Sequence, residues 1–149
     1  MIRVRPVEPK DAAAWLRLRR SLWPESPDAE HGEEIAQFFS GASREPLAVL
    51  IADDREGREV GIAELSIRPG AEGCRTSRVG YLEGWFVVPE SRRQGVGRAL
   101  VEAAESWARS QGCTEFASDT EPGNSASKAA HRATGFTDAG MIQCYRKDL

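Results

Sequence analysis

The sequence predicts a single α/β (α+β) domain, a mixed sheet flanked by helices, in the order β-α-α-β-β-β-α-β-α-β. Three observations predict it. Short apolar or alternating runs are interleaved with segments whose apolar residues recur at helical spacing, which gives layers of helix and sheet. The 149 residues carry no repeat, low-complexity tract or linker, so residues 1–149 are read as one domain. A chain of that length buries roughly 70% of the surface its unfolded form exposes. The apolar share is 40% and the charged share 29%, which suits a soluble domain with its own core.

Each element has a local cause. Ile2-Arg3-Val4-Arg5-Pro6-Val7 alternates apolar and polar, and Pro6 places that strand at an edge or an end. Asp11 to Leu22 carries Trp15, Leu18 and Leu22 at helical spacing, and Pro24 and Pro27 stop it. Asp28 is positioned to cap a second helix through Phe39, with Ile35, Phe38 and Phe39 on one side. Gly41-Ala42-Ser43 is a loop. Leu47 to Ala52 reads as a buried strand, Asp53 to Gly57 as a hairpin turn, and Val60 to Ile67 as the returning strand. A polar loop from Pro69 to Ser77 leads to the aromatic and β-branched strand Val79 to Val88, which Pro89 ends. Gly95 to Gln111 is a helix with Val96, Leu100, Ala103, Ala104 and Trp107 inward and Gly112 as its stop. Thr114 to Ser118 is a short strand, Asn124 to Thr134 a helix closed by Gly135, and Met141 to Arg146 a last strand.

Composition excludes some functions. The net charge is −3, which argues against nucleic-acid binding and suits a cationic ligand. Cys74, Cys113 and Cys144 follow no metal-ligand spacing and read as free thiols; no metal is expected. No apolar run approaches the ~20 residues of a membrane span. The start, Met1-Ile2-Arg3-Val4-Arg5, lacks the apolar stretch of a secretory signal, so a cytoplasmic protein is expected.

The chemistry centres on Arg92-Arg93-Gln94-Gly95-Val96-Gly97, a turn between a strand and a helix. Glycines let the backbone approach a bulky anion, and a helix start offers free N–H groups and positive dipole. Arg92, Arg93 and Arg98 add donors for phosphate oxygens. The turn lacks the third glycine and acidic partner of a dinucleotide fingerprint, and the Gly-Lys-Ser/Thr of a nucleotide triphosphatase loop.

The stretch from Leu82 through Pro89 and on to Leu100 resembles the central motif of the GNAT acetyltransferase superfamily, with Arg92, Gly95 and Gly97 at its fixed positions. Asn124 followed by Ala130-His131-Arg132-Ala133-Thr134-Gly135-Phe136 resembles its later motif, with His131 where many members carry tyrosine. Leu22-Trp23-Pro24, Leu82-Glu83-Gly84 and Ala117-Ser118-Asp119-Thr120 resemble the aminoglycoside 6′-N-acetyltransferases within that superfamily. The resemblance spans essentially the whole chain. It implies a GNAT-like, mostly antiparallel central sheet, acetyl-CoA as co-substrate and a homodimer joined partly through the C-terminal strand.

The resemblance also implies residue roles. The backbone of Trp85, Phe86 and Val87 would pair with the pantetheine arm. Arg92, Arg93, Gln94, Gly95, Val96, Gly97 and Arg98 would wrap the pyrophosphate, and Asn124 would reach the cofactor further along. On the acceptor side, Glu83 and Asp119 are the acidic groups expected to hold an ammonium, and Trp23 would pack against a sugar ring. Ser26, Gly70 and Gly140 stand where subfamily members carry polar or acidic sugar contacts. Transfer would be direct, in a ternary complex. Glu83 or Asp119 would take the amine proton, and a backbone N–H near Val87 would polarise the acetyl carbonyl. His131 either assists the departing thiolate or is a satisfied helix histidine. Acetylation of a polyamine or protein amine, and a non-catalytic acyl-CoA sensor, remain alternatives.

Overall fold

Pro6 ends β1 (Arg3–Pro6) at the edge of the sheet, where a residue without an N–H is tolerated. The computed structural model describes residues 1–149. β1 pairs antiparallel with β2 (Ala48–Asp53), β2 with β3 (Glu59–Arg68), and β3 with β4 (Val79–Val87). β5 (Glu115–Ser118) adds parallel to β4, giving the order β1-β2-β3-β4-β5. The sheet is therefore mixed and mostly antiparallel, as expected.

β2 and β3 are buried along nearly their whole length because helices cover both faces. α1 (Ala12–Leu22) and α2 (Asp28–Phe39) lie on one face. Trp15 of α1 is fully buried and meets Phe38 and Phe39 edge-to-face, with ring centroids 5.2 and 5.6 Å away, which fastens α1 to α2. α3 (Val96–Ser110) covers the other face with Val96, Leu100, Val101 and Ala104, all buried. Val96, Leu100 and Val101 each contribute about 1.5–3 kcal/mol by leaving water. Gly61 lets α3 sit close, since a Cβ there would lie 3.0 Å from both Leu100 and Val96. α4 (Ser125–Ala133) follows β5. No helix is long and apolar enough to cross a membrane.

Two local expectations are corrected. Asp28 is the first residue of α2, not its cap. Pro27 holds the cap position, and Asp28 instead forms a bidentate pair with Arg20, at 2.8 and 2.7 Å. No strand forms at Met141 to Arg146: residues 134–149 have no ladder partner within the chain. Alternation alone does not make a strand, because its backbone groups need an edge to pair with.

A buried cluster pins the chain start. Arg5 donates to Asp11 at 2.7 and 3.0 Å and to Asp53 at 2.7 Å, tying β1, the first helical turn and β2 together. Hydrogen bonds from Arg5 hold the Asp11 carboxyl below the usual carboxylate range, against the opposing pull of burial. A carboxylate with a depressed folded pKa stabilises the fold above its unfolded pKa, about 3.9, and loses that contribution as pH falls through the folded value. Asp11→Asn is expected to be less stable than the native chain at pH 7, with the gap narrowing below about pH 4. Urea denaturation across that range checks it; a gap independent of pH would contradict it.

β4 carries the feature that builds the site. Its register against β3 runs Glu64↔Gly84 and then Leu65↔Leu82, so Glu83 is an extra, unpaired residue: a β-bulge. Without it, neighbours along β4 would point to opposite faces. With it, Glu83 meets Ser66 and Arg68, while Gly84 lies under Leu22 and Trp23. Both therefore face α1.

Candidate active site

The pairing of β4 with β5 ends at Leu82↔Ser118, while β4 runs on to Val87. Beyond that point β4 has an open edge. The Val88 N–H bonds the Val60 carbonyl at 2.9 Å, so Val88 faces β3. By alternation the backbones of Phe86 and Gly84 face β3 as well, while those of Trp85 and Val87 face the open edge. The edge that can receive an extended amide chain is therefore Trp85 and Val87. Phe86 is corrected out of that set: it lies opposite Ile62 in the ladder, and its ring lies against the Arg92 guanidinium at 5.4 Å.

The turn after β4 is shaped for an anion. Arg93 and Gly95 both have left-handed backbones, with φ of 61° and 85°. Those turns aim the start of α3 at the open edge. The N–H groups of Gly95, Val96, Gly97 and Arg98 donate to nothing in the chain, and α3 has no side-chain N-cap. The Arg92 Nε donates to the Val87 carbonyl at 2.8 Å, which sets its guanidinium across the groove. Gln94 donates to the Glu90 carbonyl at 3.3 Å. Arg98 donates to the Ala133 carbonyl at 2.5 Å, so it braces the end of α4 as well as facing the groove. A Cβ on Gly97 would lie 3.2 Å from the Trp85 ring, which packs on the start of α3. The Trp85 Nε1 is buried with no acceptor in the chain. Unpaired donors gathered beside an open strand edge fit a phosphate-bearing thioester with an amide arm.

α4 closes the other side of the opening. The Asn124 side-chain oxygen accepts from the Ser127 N–H at 3.0 Å and caps this helix, which leaves its amide nitrogen as a donor for a ligand. Gly135 ends the helix with φ 96°, the Phe136 N–H bonding back to the His131 carbonyl at 3.0 Å. This return packs Phe136 on His131, with centroids 5.1 Å apart, and Trp85 meets the imidazole edge-on at 5.2 Å. His131 Nδ1 lies 2.7 Å from the Ser127 carbonyl, and Nε2 lies 2.8 Å from the Ser118 Oγ.

On the α1 face a cleft of about 310 Å³ is lined by Arg19, Trp23, Ser26, Glu34, Glu64 and Glu83, among others. Three of the expected acceptor residues, Trp23, Ser26 and Glu83, thus share one cleft. Asp119 joins them indirectly. It follows β5, is exposed, and accepts a short hydrogen bond from the Tyr81 hydroxyl. Arg68 lies over the Tyr81 ring at 3.5 Å and grips Glu83 with two bonds of 2.8 and 2.6 Å. Burial, then the bond to Asp119, raises the Tyr81 pKa, so it stays a phenol and donates. The order along the face is Asp119, Tyr81, Arg68, Glu83, Ser66.

Sequence reasoning missed Arg68 and Tyr81, and their presence changes Glu83. Both Glu83 oxygens already accept, from Arg68 and Ser66, so Glu83 is not the free base anticipated. It also missed the wall behind Trp23. Glu64 is buried and accepts from the Trp15 Nε1 at 2.8 Å and from Arg19 twice at 2.7 Å. Arg19 continues to Glu34 at 2.5 Å and lies over the Trp23 ring at 5.1 Å. His31 bonds the Trp23 carbonyl at 3.2 Å. The signal for Glu64 was a charge inside the apolar run Gly61 to Leu65, which needs a buried partner.

A larger groove of about 740 Å³ lies between the N-terminus, the β2–β3 turn and Glu90 to Gln94. Arg58 there binds Asp54 and Glu56, and none of the expected acceptor residues reaches it. The smaller cleft therefore gathers the expected acceptor residues Trp23, Ser26 and Glu83.

Known proteins agree with this geometry. The family model described as Acetyltransferase (GNAT) family matches residues 14–136. An aminoglycoside N(6')-acetyltransferase type 1 from Klebsiella aerogenes is 58% identical over 98% of this chain and 96% of its own length. One from Stenotrophomonas maltophilia is 41% identical over 98% and 93%. Among solved structures, the aminoglycoside N-acetyltransferase AAC(6')-Iy in complex with CoA superposes with a TM-score of 0.91 at 35% identity, covering all of this chain and 96% of that one. The same enzyme with the bisubstrate analog CoA-S-monomethyl-acetylneamine also gives 0.91 at 35% identity, covering all of this chain and 99% of that one. With the splayed β4–β5 edge, the Arg92 to Gly97 turn and these matches in agreement, the chain belongs to the acetyltransferase (GNAT) family, alongside its aminoglycoside N(6')-acetyltransferase relatives.

Proposed function

We propose that this protein transfers the acetyl group of acetyl-CoA to the 6′-amino group of an aminoglycoside, directly and in a ternary complex, and so confers resistance. The observation that carries the reading is the meeting of two surfaces at the bulge of β4. An anion-binding groove with an open strand edge lies beyond it, and an acid-lined cleft walled by Trp23 lies on the α1 face. Acetyl-CoA supplies the acetyl group as a thioester. The outward-facing backbones of Trp85 and Val87 bind its amide arm, and the turn from Arg92 to Arg98 holds its pyrophosphate. The Asn124 amide binds further along. The Val87 N–H polarises the acetyl carbonyl.

Glu83 and Asp119 supply negative charge for the ammonium groups of the acceptor, with Trp23 under a sugar ring and Ser26 at the cleft rim. Glu34, although bonded to Arg19, adds charge on the same wall. Residues 1–149 act as one catalytic domain, in the cytoplasm. The tail exposes Met141, Ile142 and Tyr145 at 82, 64 and 90% of their surface. A second copy covers that tail in a homodimer, which sedimentation velocity reads as twice the chain mass.

The test is thiol release from acetyl-CoA with kanamycin, spermidine or a lysine peptide as acceptor. Release with kanamycin, and an acetyl group mapped to its 6′ nitrogen, is the expected result. Release with spermidine alone would replace the reading by polyamine acetylation, and release with the lysine peptide alone by protein acetylation. No release with any amine would leave an acyl-CoA sensor.

A further inference from the structure

We infer that Ser118 and His131 form a proton relay for the transfer step, with Ser118 as the group that meets the reacting atoms. This rests on the acetyl transfer proposed above. His131 Nδ1 lies 2.7 Å from the Ser127 carbonyl oxygen, which can only accept. The proton of the neutral imidazole is therefore on Nδ1, and Nε2 presents a lone pair. At 2.8 Å, the Ser118 hydroxyl donates to it. Trp85 and Phe136 hold the ring edge-on from two directions, and the Gly135 turn fixes Phe136 there. The imidazole is thus oriented by three separate elements.

Ser118 is also the last residue of β5 paired with β4, opposite Leu82. Its oxygen sits at the apex where the strands part, beside the edge that receives the thioester. A second acceptor waits for its proton: the Leu82 carbonyl, 3.3 Å from Oγ. With His131 neutral, the hydroxyl proton points to Nε2. With His131 protonated, Nε2–H donates to Oγ and the hydroxyl turns toward Leu82. Both protonation states therefore have their hydrogen bonds satisfied without moving a heavy atom, as a relay requires.

The acceptor amine, bound as an ammonium, first gives one proton to water, and its neutral nitrogen then forms a bond to the acetyl carbon. The amine proton passes to the Ser118 Oγ as the Ser118 proton passes to His131 Nε2. The C–S bond then breaks with its electron pair on sulfur, and the same proton returns through Ser118 to give the CoA thiol. Nitrogen and sulfur are bonded to one carbon in the adduct, so one hydroxyl beside that carbon reaches both. No further reactant is needed. Glu83, with both oxygens occupied, is left to hold charge.

The test compares Ser118→Ala, His131→Gln and the double variant in acetyl transfer to kanamycin across pH, with Ser118→Thr as the variant that keeps the hydroxyl. Each single loss is expected to lower kcat about 100-fold with the acetyl-CoA KM within about twofold. The double variant should fall no further, and Ser118→Thr should recover most of the rate. Both losses should also abolish the imidazole limb of the kcat–pH profile. A Ser118→Ala enzyme with native kcat and native pH profile, or a double variant in which the two losses multiply, would overturn the relay while leaving the acetyltransferase reading intact. A native chain that acetylates no amine would overturn both.

Discussion

Arg19→Met is expected to cost about 3–5 kcal/mol of folding stability, because it strands the Glu64 carboxylate in the core with one donor left. Glu64 is 1% exposed and Arg19 3%. Two of the three bonds to Glu64 come from Arg19, and only the Trp15 indole would remain. Small domains hold about 5–15 kcal/mol in all, so this loss is a large share. Urea denaturation at pH 7 measures it. The double variant Arg19→Met with Glu64→Leu should regain much of the loss, since replacing both partners removes the uncompensated charge. A single variant within about 1 kcal/mol of native would show that water reaches Glu64 and replaces the lost donors, so that burial does not strand the charge. The same variant should raise the KM for the aminoglycoside, because Arg19 backs the Trp23 ring.

Gly84→Ala is expected to damage acceptor binding while sparing the co-substrate. A Cβ there would lie 2.8 Å from the Trp23 ring and 3.0 Å from Leu22, so the indole has to move. Trp23 is half-buried at the cleft and free to yield, whereas the backbone of β4 is fixed by its ladder with Glu64. Losing one aromatic platform costs about 0.5–1.5 kcal/mol, so kcat/KM for kanamycin should fall by up to about tenfold, with the acetyl-CoA KM within about twofold. Trp23→Ala should produce a similar loss, and the double variant should add little, since both changes remove one contact. If the two losses multiplied, Trp23 and Gly84 would act separately.

This pair shows how the family signature is built. Leu22-Trp23-Pro24 and Leu82-Glu83-Gly84 are about sixty positions apart in sequence, yet the absent side chain of Gly84 is the space that Trp23 fills. The bulge at Glu83 makes the two meet, and a bulge leaves no periodic trace. The same limit applies to Glu83 itself. Its place within an apolar strand marked it as a charge in need of a partner, but Arg68 as that partner depends on strand register.

His131 shows the limit from the other side. Its position one turn before Gly135 places it on a helix face, and the resemblance implies a site there. The tautomer and the hydrogen bond to Ser118 depend on α4 lying over the end of β5. Asn124 was legible as a helix start, and the structure spends its oxygen on that cap. The tail misled because Met141 to Arg146 alternates like a strand, while pairing needs an edge from elsewhere.

What the sequence by itself determined was the succession from the first strand through the helix closed by Gly135, the glycine turn after β4, and the positions of the two acids, Glu83 within its strand and Asp119 just after its own. Those features follow from local periodicity, turn chemistry and the cost of an isolated charge, each set within a few residues. The tertiary structure alone decided the open edge at Trp85 and Val87, the pairing of Glu83 with Arg68, the buried Arg19–Glu64 wall and the Ser118–His131 contact. Those depend on register, on one extra residue in β4, and on where helices land on the sheet, because contacts between distant segments are set by packing.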